Sequence, residues 1–455
     1  MRMNTKKVPL GKVIDLTISG VGHDGQGVGR WEDTAVFVPG VLAGERVVAR
    51  VRRIAKRHLE ADLVGVEEPS PERQKPPCIL ADHCGGCSLQ HASSTAQLAI
   101  KTEIVRQSLS RLAKLEAPVH QTWGCSHGLG YRNRALIPLE RREDGSLRAG
   151  YYRRGSHRIV NMNRCPVLDP RIDALVAPLK DDLQDSGWPV DVNLSGGGGL
   201  RHLGLRVGHH SGEVLITVVS SHPNLPGLEE LAKAWMDRWP TVVGVSLNLQ
   251  PKASNVVMGS ESRLLAGRSW LLETFAGVEL QIAPDTFFQV NTAQAERLVE
   301  PLRAFFAAGP SGTVIDAYCG IGTFSLPLAQ RGLQILGLEV HAGSVEQAQA
   351  NASRNAIGTA FFEQADVASV LADRLRMAGS LLVDPPRKGL SPEALAAIQE
   401  GRPERIAYIS CNPSTLSRDL AELCAGEAYR LESVQPIDFF PQTSHVECLA
   451  LLVRR

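Results

Sequence analysis

Apolar positions recur along this chain with different periods, and the changes of period divide it. Up to about residue 66 the pattern is short and strand-like. Val13-Ile14-Asp15-Leu16 leads into a glycine-rich stretch from Gly20 to Gly29. Ala35-Val36-Phe37-Val38, a Pro39-Gly40 turn and an alternating run from Glu45 to Val51 follow, as half-buried strands should. This predicts a small OB-like β-barrel. A proline-rich joint (Pro69, Pro71, Pro76, Pro77) precedes a helical pattern over 94–116, with Leu98, Val105, Leu109 and Leu112 on one face. Residues 120–280 read as mixed α+β, with a strand at 213–220 and a flexible loop at the glycine run 196–199. From about 282 strands and helices alternate. Residues 314–316, 334–339, 380–384, 405–410 and 446–453 are the strand candidates. Such alternation predicts a mainly parallel, doubly wound α/β sheet. No internal repeat is visible.

A length of 455 residues predicts two to four domains, and 43% hydrophobic with 21% charged residues describes a globular protein. No apolar run is long enough for a membrane helix. The start MRMNTKKVPL shows no signal-peptide pattern, so the cytoplasm is the expected compartment. The net charge of +1 conceals a segregation. Residues 1–57 carry eleven Lys/Arg against five acids, and residues 130–160 carry eight Arg against three. Two basic patches suit a polyanionic partner, although solvated surface charge is an equal reading. Arg50, Arg52, Arg53, Lys56 and Arg57 decorate the barrel's last strand and exit, and such barrels often bind single-stranded nucleic acid. The nine cysteines are not expected to form disulfides in a reducing compartment. Cys78, Cys84 and Cys87 crowd into ten residues, which points to metal.

The first α/β strand runs into Asp316-Ala-Tyr-Cys-Gly320-Ile-Gly322-Thr-Phe-Ser325, a glycine-rich turn before a helix. Such a turn lets a nucleotide-like ligand approach the backbone, and Glu339 closes the next strand, where an acid accepts from ribose hydroxyls. A methyl donor and a dinucleotide both fit, but Ser325 stands where the dinucleotide fingerprint needs its third glycine. Asp384-Pro-Pro-Arg387 and Ser410-Cys411-Asn412-Pro413 end two further strands. Ligands bind beyond the carboxyl ends of strands in open sheets. A free cysteine is commonly a small core residue, yet Cys411 at a strand exit in a Pro-flanked turn reads as a nucleophile.

Phe287-Phe288-Gln289-Val290-Asn291, the DAYCGIGTF loop, DPPRKG at 384–389, SCNPSTLSRD at 410–419 and FPQTSHVE at 440–447 together resemble the RNA 5-methyluridine methyltransferase family. Upstream, Gly25-Gln-Gly-Val-Gly-Arg30 and Val36-Phe-Val-Pro-Gly40 look like the TRAM domain that many members carry. The resemblance implies S-adenosyl-L-methionine as donor and methylation of uridine C5 in RNA. It implies Cys411 as nucleophile towards C6 and Glu447 as the base that removes the C5 proton. In this sheet class the last strand runs antiparallel beside the one ending at Cys411, which brings Glu447 to the same edge. Local activation of the Cys411 thiol is expected, because an ordinary thiol is little ionised near neutrality. Gln289, Tyr318, Glu339 and Asp384 match donor-contacting positions; Asp366 falls near the adenine but follows Gln364-Ala365 where relatives often have glycine.

Cys78, Cys84, Cys87 and Cys165 resemble the family's [4Fe–4S] ligands, with zinc or free thiols as alternatives for a thiolate-only set. Cys125, Cys319, Cys424 and Cys448 read as structural. The expected organisation is a barrel over 1–66, an iron–sulfur and RNA-contacting middle domain over 67–280, and a catalytic domain over 281–455. The helix at 94–116 is expected to pack on the last of these. The expected partner is RNA: relatives with both TRAM and cluster usually act on large-subunit rRNA, which is favoured over the tRNA T loop. A monomer with no membrane association is expected. A non-catalytic RNA-binding protein and a nicotinamide oxidoreductase are the rival classes; intact Cys411 and Glu447 oppose the first, the incomplete fingerprint the second.

Overall fold

The computed structural model describes residues 9–190, 198–252 and 254–455. Strands β1 (Val13–Val21), β2 (Gly27–Trp31), β3 (Thr34–Val38), β4 (Arg46–Ile54) and β5 (His58–Glu68) close into a barrel in the order β1-β2-β3-β5-β4. Alternate residues point inward, and Ile14, Leu16, Ile18, Val36, Val47 and Leu59 fill its core. Gly27 and Gly29 are required there. A Cβ on Gly27 would meet Val41 at 2.2 Å, and one on Gly29 would meet Leu16 and the Thr17 carbonyl at 2.7 Å. A barrel this small has little core of its own. It is tied to the following segment by buried Glu45, which accepts from the Leu42 amide at 2.7 Å and pairs with Arg73.

Helix α1 (Ser94–Ser108) starts on Ser93, whose hydroxyl accepts from the Ala96 amide at 3.1 Å. It ends in a wide π turn at 109–113 and a left-handed Lys114 at φ 54°. The regular helix is therefore shorter than the periodicity predicts, and Leu112 is 56% exposed. A six-stranded sheet follows, built from β6 (Arg134–Arg141), β7 (Leu147–Ala149), β8 (Leu200–Val207), β9 (Val214–Ser220), β10 (Val242–Leu249) and β11 (Glu261–Gly267). Helices α2 (Pro170–Asp185) and α3 (Leu228–Arg238) share its core through residues such as Leu179 and Trp235. The glycine run at 196–199 begins outside the described residues.

The hairpin β12 (Leu271–Phe275) and β13 (Val278–Ile282) and helix α4 (Thr292–Ala307) lead into the last region. There β14 (Thr313–Ala317), α5 (Ser325–Gln330), β15 (Gln334–Glu339), α6 (Ala342–Arg354), β16 (Ala360–Gln364), α7 (Val367–Leu375) and β17 (Ala378–Val383) alternate. They continue as α8 (Pro392–Gly401), β18 (Arg405–Ser410), α9 (Pro413–Leu423), β19 (Tyr429–Ile437) and β20 (Glu447–Arg454). The sheet order is β16-β15-β14-β17-β18-β20-β19; only β20 runs against the other strands, pairing antiparallel with both β18 and β19. Near-continuous apolar strands such as β17 and β18 suit a sheet covered on both faces. Helix α1 packs against α9 and β19. No helix among the described residues is long and apolar enough to cross a membrane.

Candidate active site

The carboxyl ends of β14, β15, β17 and β18 gather the candidate residues. After β14 the chain turns sharply through Tyr318 at φ 70°, Gly320 at 56° and Gly322 at 82°. The Tyr318 and Cys319 amides both donate to the Leu338 carbonyl, at 2.9 and 3.1 Å, pinning the turn against β15. Glu339 braces it from the other side, accepting from the Gly320 amide at 3.1 Å and the His341 amide at 2.8 Å. Tyr318 is half-buried, and burial, then Asp366 and Asp419, push its phenol up to about 12. Gln289, just before α4, donates from Nε2 to Asp384 at 3.3 Å. Its backbone is clamped by Asn133, whose amide side chain donates to the Gln289 carbonyl at 2.9 Å.

The pairing of Ser410 with Cys448 sets the remaining two groups side by side, Cys411 just beyond β18 and Glu447 at the start of β20. Glu447 is 4% exposed, and burial, with Asp384 adding to it, holds its carboxyl well above the usual range. Asp384 is likewise raised by burial and by Asp316. The Cys411 thiol departs from expectation. Instead of an activated thiol, burial and then Glu447 push it up to about 11. Two features oppose this rise. The Arg387 guanidinium lies beside the thiol, and Cys411 immediately precedes Asn412, whose side chain caps α9 by accepting from the Ser414 amide at 3.1 Å. Burial outweighs both.

Arg387 is the residue that sequence reasoning passed over, although its motif was singled out. Its carbonyl accepts from Asn412 and from Thr415, each at 3.2 Å, while its guanidinium reaches the His445 ring at 3.4 Å. Burial, then Arg387, pushes His445 down to about 4, so its ring is neutral near neutral pH. Asp366 caps no backbone amide with its side chain and stands at the start of α7, within reach of Tyr318.

The four cysteines expected to hold a cluster are not shown to do so. Among the described residues no three His, Cys, Asp or Glu side chains are arranged to hold a metal ion. Burial pushes the Cys84 thiol up, that of Cys87 up to about 11 and that of Cys165 up to about 12. They are nevertheless neighbours, each of Cys78, Cys84 and Cys87 acting on Cys165 electrostatically. The Leu80 and Gly86 amides donate to Cys78 and Cys84 sulfur at 3.4 Å. The Tyr151 hydroxyl, buried without a partner, lies within reach of Cys84, Cys87 and Cys165. Four thiols supply the ligand chemistry that a thiolate-held cluster requires, but the described residues bring no three of them into a metal-holding arrangement.

A mainly parallel sheet with a glycine turn after its first strand and an acid ending the second defines a doubly wound nucleotide-binding architecture, and the antiparallel strand β20 brings Glu447 to the same edge. A family model for tRNA (uracil-5-)-methyltransferases matches residues 276–455, and one for the TRAM domain matches residues 7–64. An uncharacterized RNA methyltransferase of Parasynechococcus marenigrum is 49% identical over 444 residues, 97% of this chain and 95% of its own. One from Synechocystis sp. is 43% identical over 443 residues, 97% of this chain and 96% of its own. The crystal structure of Pyrococcus abyssi tRNA (uracil-54, C5)-methyltransferase, in complex with S-adenosyl-L-homocysteine, is 28% identical with a TM-score of 0.77. The match covers 96% of this chain and 99% of that one. The chain belongs to the family of S-adenosylmethionine-dependent RNA (uracil-5-)-methyltransferases.

Proposed function

We propose that Cys411 and Glu447 divide the chemistry of uridine C5 methylation between them. The observation that carries this is the Ser410–Cys448 register, which sets Cys411 and Glu447 at one sheet edge beside Asp384. Uracil C5 is a poor nucleophile. Cys411 as thiolate adds to C6, and the C5–C6 π electrons move onto C5 and the O4 enolate. The bound donor supplies an electrophilic methyl. C5 takes that methyl, Glu447 as carboxylate then removes the C5 proton, and the C6–S bond breaks to return the thiolate. Arg387 beside the thiol favours its ionised form and opposes burial in part. Gln289, Tyr318, Glu339 and Asp384 bind the donor: Glu339 at the ribose, the Gln289–Asp384 pair and Tyr318 at the methionine end.

The target base must leave its stack to reach this edge. Cys411→Ala should abolish methylation with donor binding intact. Glu447→Gln should accumulate a denaturation-resistant protein–RNA adduct that requires the donor. Normal turnover by Glu447→Gln would remove it as the base.

A large-subunit rRNA uridine is the proposed target, on the pairing of a TRAM barrel with the cysteine set. A second reading, the tRNA T-loop uridine, is favoured by the match with the P. abyssi tRNA enzyme over 96% of this chain. Nucleoside mass spectrometry of rRNA and tRNA from a deletion strain separates them by which pool loses 5-methyluridine. Cys78, Cys84, Cys87 and Cys165 are proposed to hold a [4Fe–4S] cluster, supported by their mutual proximity and the orphaned Tyr151 hydroxyl. Its contribution is to cross-link the middle region, since methyl transfer is redox-neutral.

A further inference from the structure

The loop between β19 and β20 carries a residue that the chemistry above leaves unused. Gln442 is 5% exposed and adopts φ 71°, a conformation that non-glycine residues avoid unless their surroundings impose it. All four of its polar groups are held by residues more than three hundred positions earlier in the chain. Its amide donates to Gln97 Oε1 at 2.8 Å, and its Oε1 accepts from Gln97 Nε2 at 3.1 Å. Its Nε2 donates to the Gly128 carbonyl at 3.1 Å. Its carbonyl accepts from the Ser88 and Leu89 amides at 3.0 and 2.9 Å. Two residues on, the Ser444 amide donates to the Ser88 hydroxyl at 3.0 Å. On the other side, fully buried Lys101 of α1 pairs with Asp438 and donates to the Phe440 carbonyl at 3.0 Å.

We propose that Gln442 is a positioning residue that ties Glu447 to the cysteine-bearing segment, making the order of residues 87–92 a condition for the base's alignment. Glu447 lies five residues beyond Gln442, and the stretch between them is fixed at Gln442 and Ser444. Ser88 adjoins Cys87. Disorder in that segment therefore removes the carbonyl's two donors and frees the loop at its strained residue. The donor site, built on β14, β15 and β17, does not share these bonds.

This proposal rests on the reading of Glu447 as the base, so the test includes Glu447→Gln as its reference. Gln442→Gly suits the left-handed backbone and removes only the side-chain bonds. Gln97→Leu leaves the loop's sequence intact and removes the partner of the Gln442 amide and Oε1, together with the bonds from Gln97 to the Leu89 and Ala92 carbonyls. Single-turnover methylation, donor affinity and adduct formation are measured on the full-length enzyme with its RNA. Both variants should lose about tenfold to a hundredfold in turnover, as small misplacements of a catalytic group do. Donor affinity should stay within about twofold, which groups outside the donor contacts leave unchanged. Both should accumulate the donor-dependent adduct, as Glu447→Gln does. Wild-type turnover in both variants overturns the proposal, as does equal loss of donor binding and turnover without adduct. Wild-type turnover in Glu447→Gln overturns the base assignment instead, whatever the Gln442 variant does.

Discussion

Opposing fields meet at the thiol of Cys411. Burial raises it most, the Glu447 carboxylate adds to this, and Arg387 acts the other way. Glu447→Gln keeps the shape and removes the like charge, so the thiol should ionise at lower pH; Arg387→Ala should move it higher. Alkylation at Cys411, followed by peptide mass spectrometry, should be faster in Glu447→Gln at pH values where Glu447 is ionised, because rate follows the thiolate fraction. Identical profiles in all three proteins would place the carboxylate away from the thiol. Asp316 gives a second titration. Burial pushes it up to about 7, outweighing the bond from the Ser325 hydroxyl, whereas an unfolded aspartate titrates near about 4. The folded state thus keeps a proton that the unfolded chain releases. Its contribution to stability is full below about pH 4 and is lost as pH rises through about 7. Urea melts between pH 5 and 8 should show a loss on the order of a few kcal/mol, flattened in Asp316→Asn. Parallel slopes would remove Asp316 as the cause. Cys411, Glu339 and Asp384 are legible in the sequence because strand ends mark them. Gln442 is not, because its role depends on partners hundreds of residues away.

Elements declare themselves when their apolar period is undisturbed. Strands β1, β3, β4, β14, β15, β17, β18 and β20 do so, with buried positions that are almost all apolar; β2, β5 and β16 do not. Helix α1 shows its apolar face, but its buried side also includes Gln97, Lys101 and Thr102; Gln97 and Lys101 reach across to the β19–β20 loop and Thr102 bonds Thr122, contacts that the stripe does not reveal. Strand β19 is hidden differently, by Pro436 and by exposed Arg430, both tolerated because β19 is the sheet edge. The basic strand β4 needs a correction of emphasis. Arg52 and Arg53 are exposed, but each lies 3.0 Å from Glu60 on β5. Exposed pairs of this kind are worth about 0–1 kcal/mol, so phosphate can compete for the guanidinium groups. Replacing Arg52, Arg53 and Lys56 by Ala should weaken RNA binding and reduce the salt slope by about 2. Glu60→Gln should strengthen binding at low salt. Donor affinity should not move in either. An unchanged RNA affinity in the triple variant would make the barrel a structural unit.

At the scale of the molecule, residues 73–92 touch every part of it. Arg73 pairs with Glu45 of the barrel, the Gly85 amide donates to the Tyr152 carbonyl at 2.9 Å, and Ser88 and Leu89 hold Gln442 ahead of β20. Periodicity could not reveal this junction, because a loop stapled by backbone bonds and thiols has no period; its cysteine spacing was the one visible sign. A metal centre there would act on all three regions together, since metal bound only by the folded chain adds its binding energy to folding. Protein purified without oxygen should contain about four iron and four sulfide per chain and be brown. Stoichiometric zinc without visible absorbance would replace the cluster with a zinc site. Cys84→Ala should lose the metal and lower the thermal midpoint of the barrel and the catalytic region in one transition. Donor affinity measured well below that midpoint should be unchanged, because Glu339, Gln289 and Asp384 are held by other bonds. If Cys84→Ala binds no less iron and melts like the wild type, the four thiols are ordinary core residues, and the junction is held by its hydrogen bonds alone.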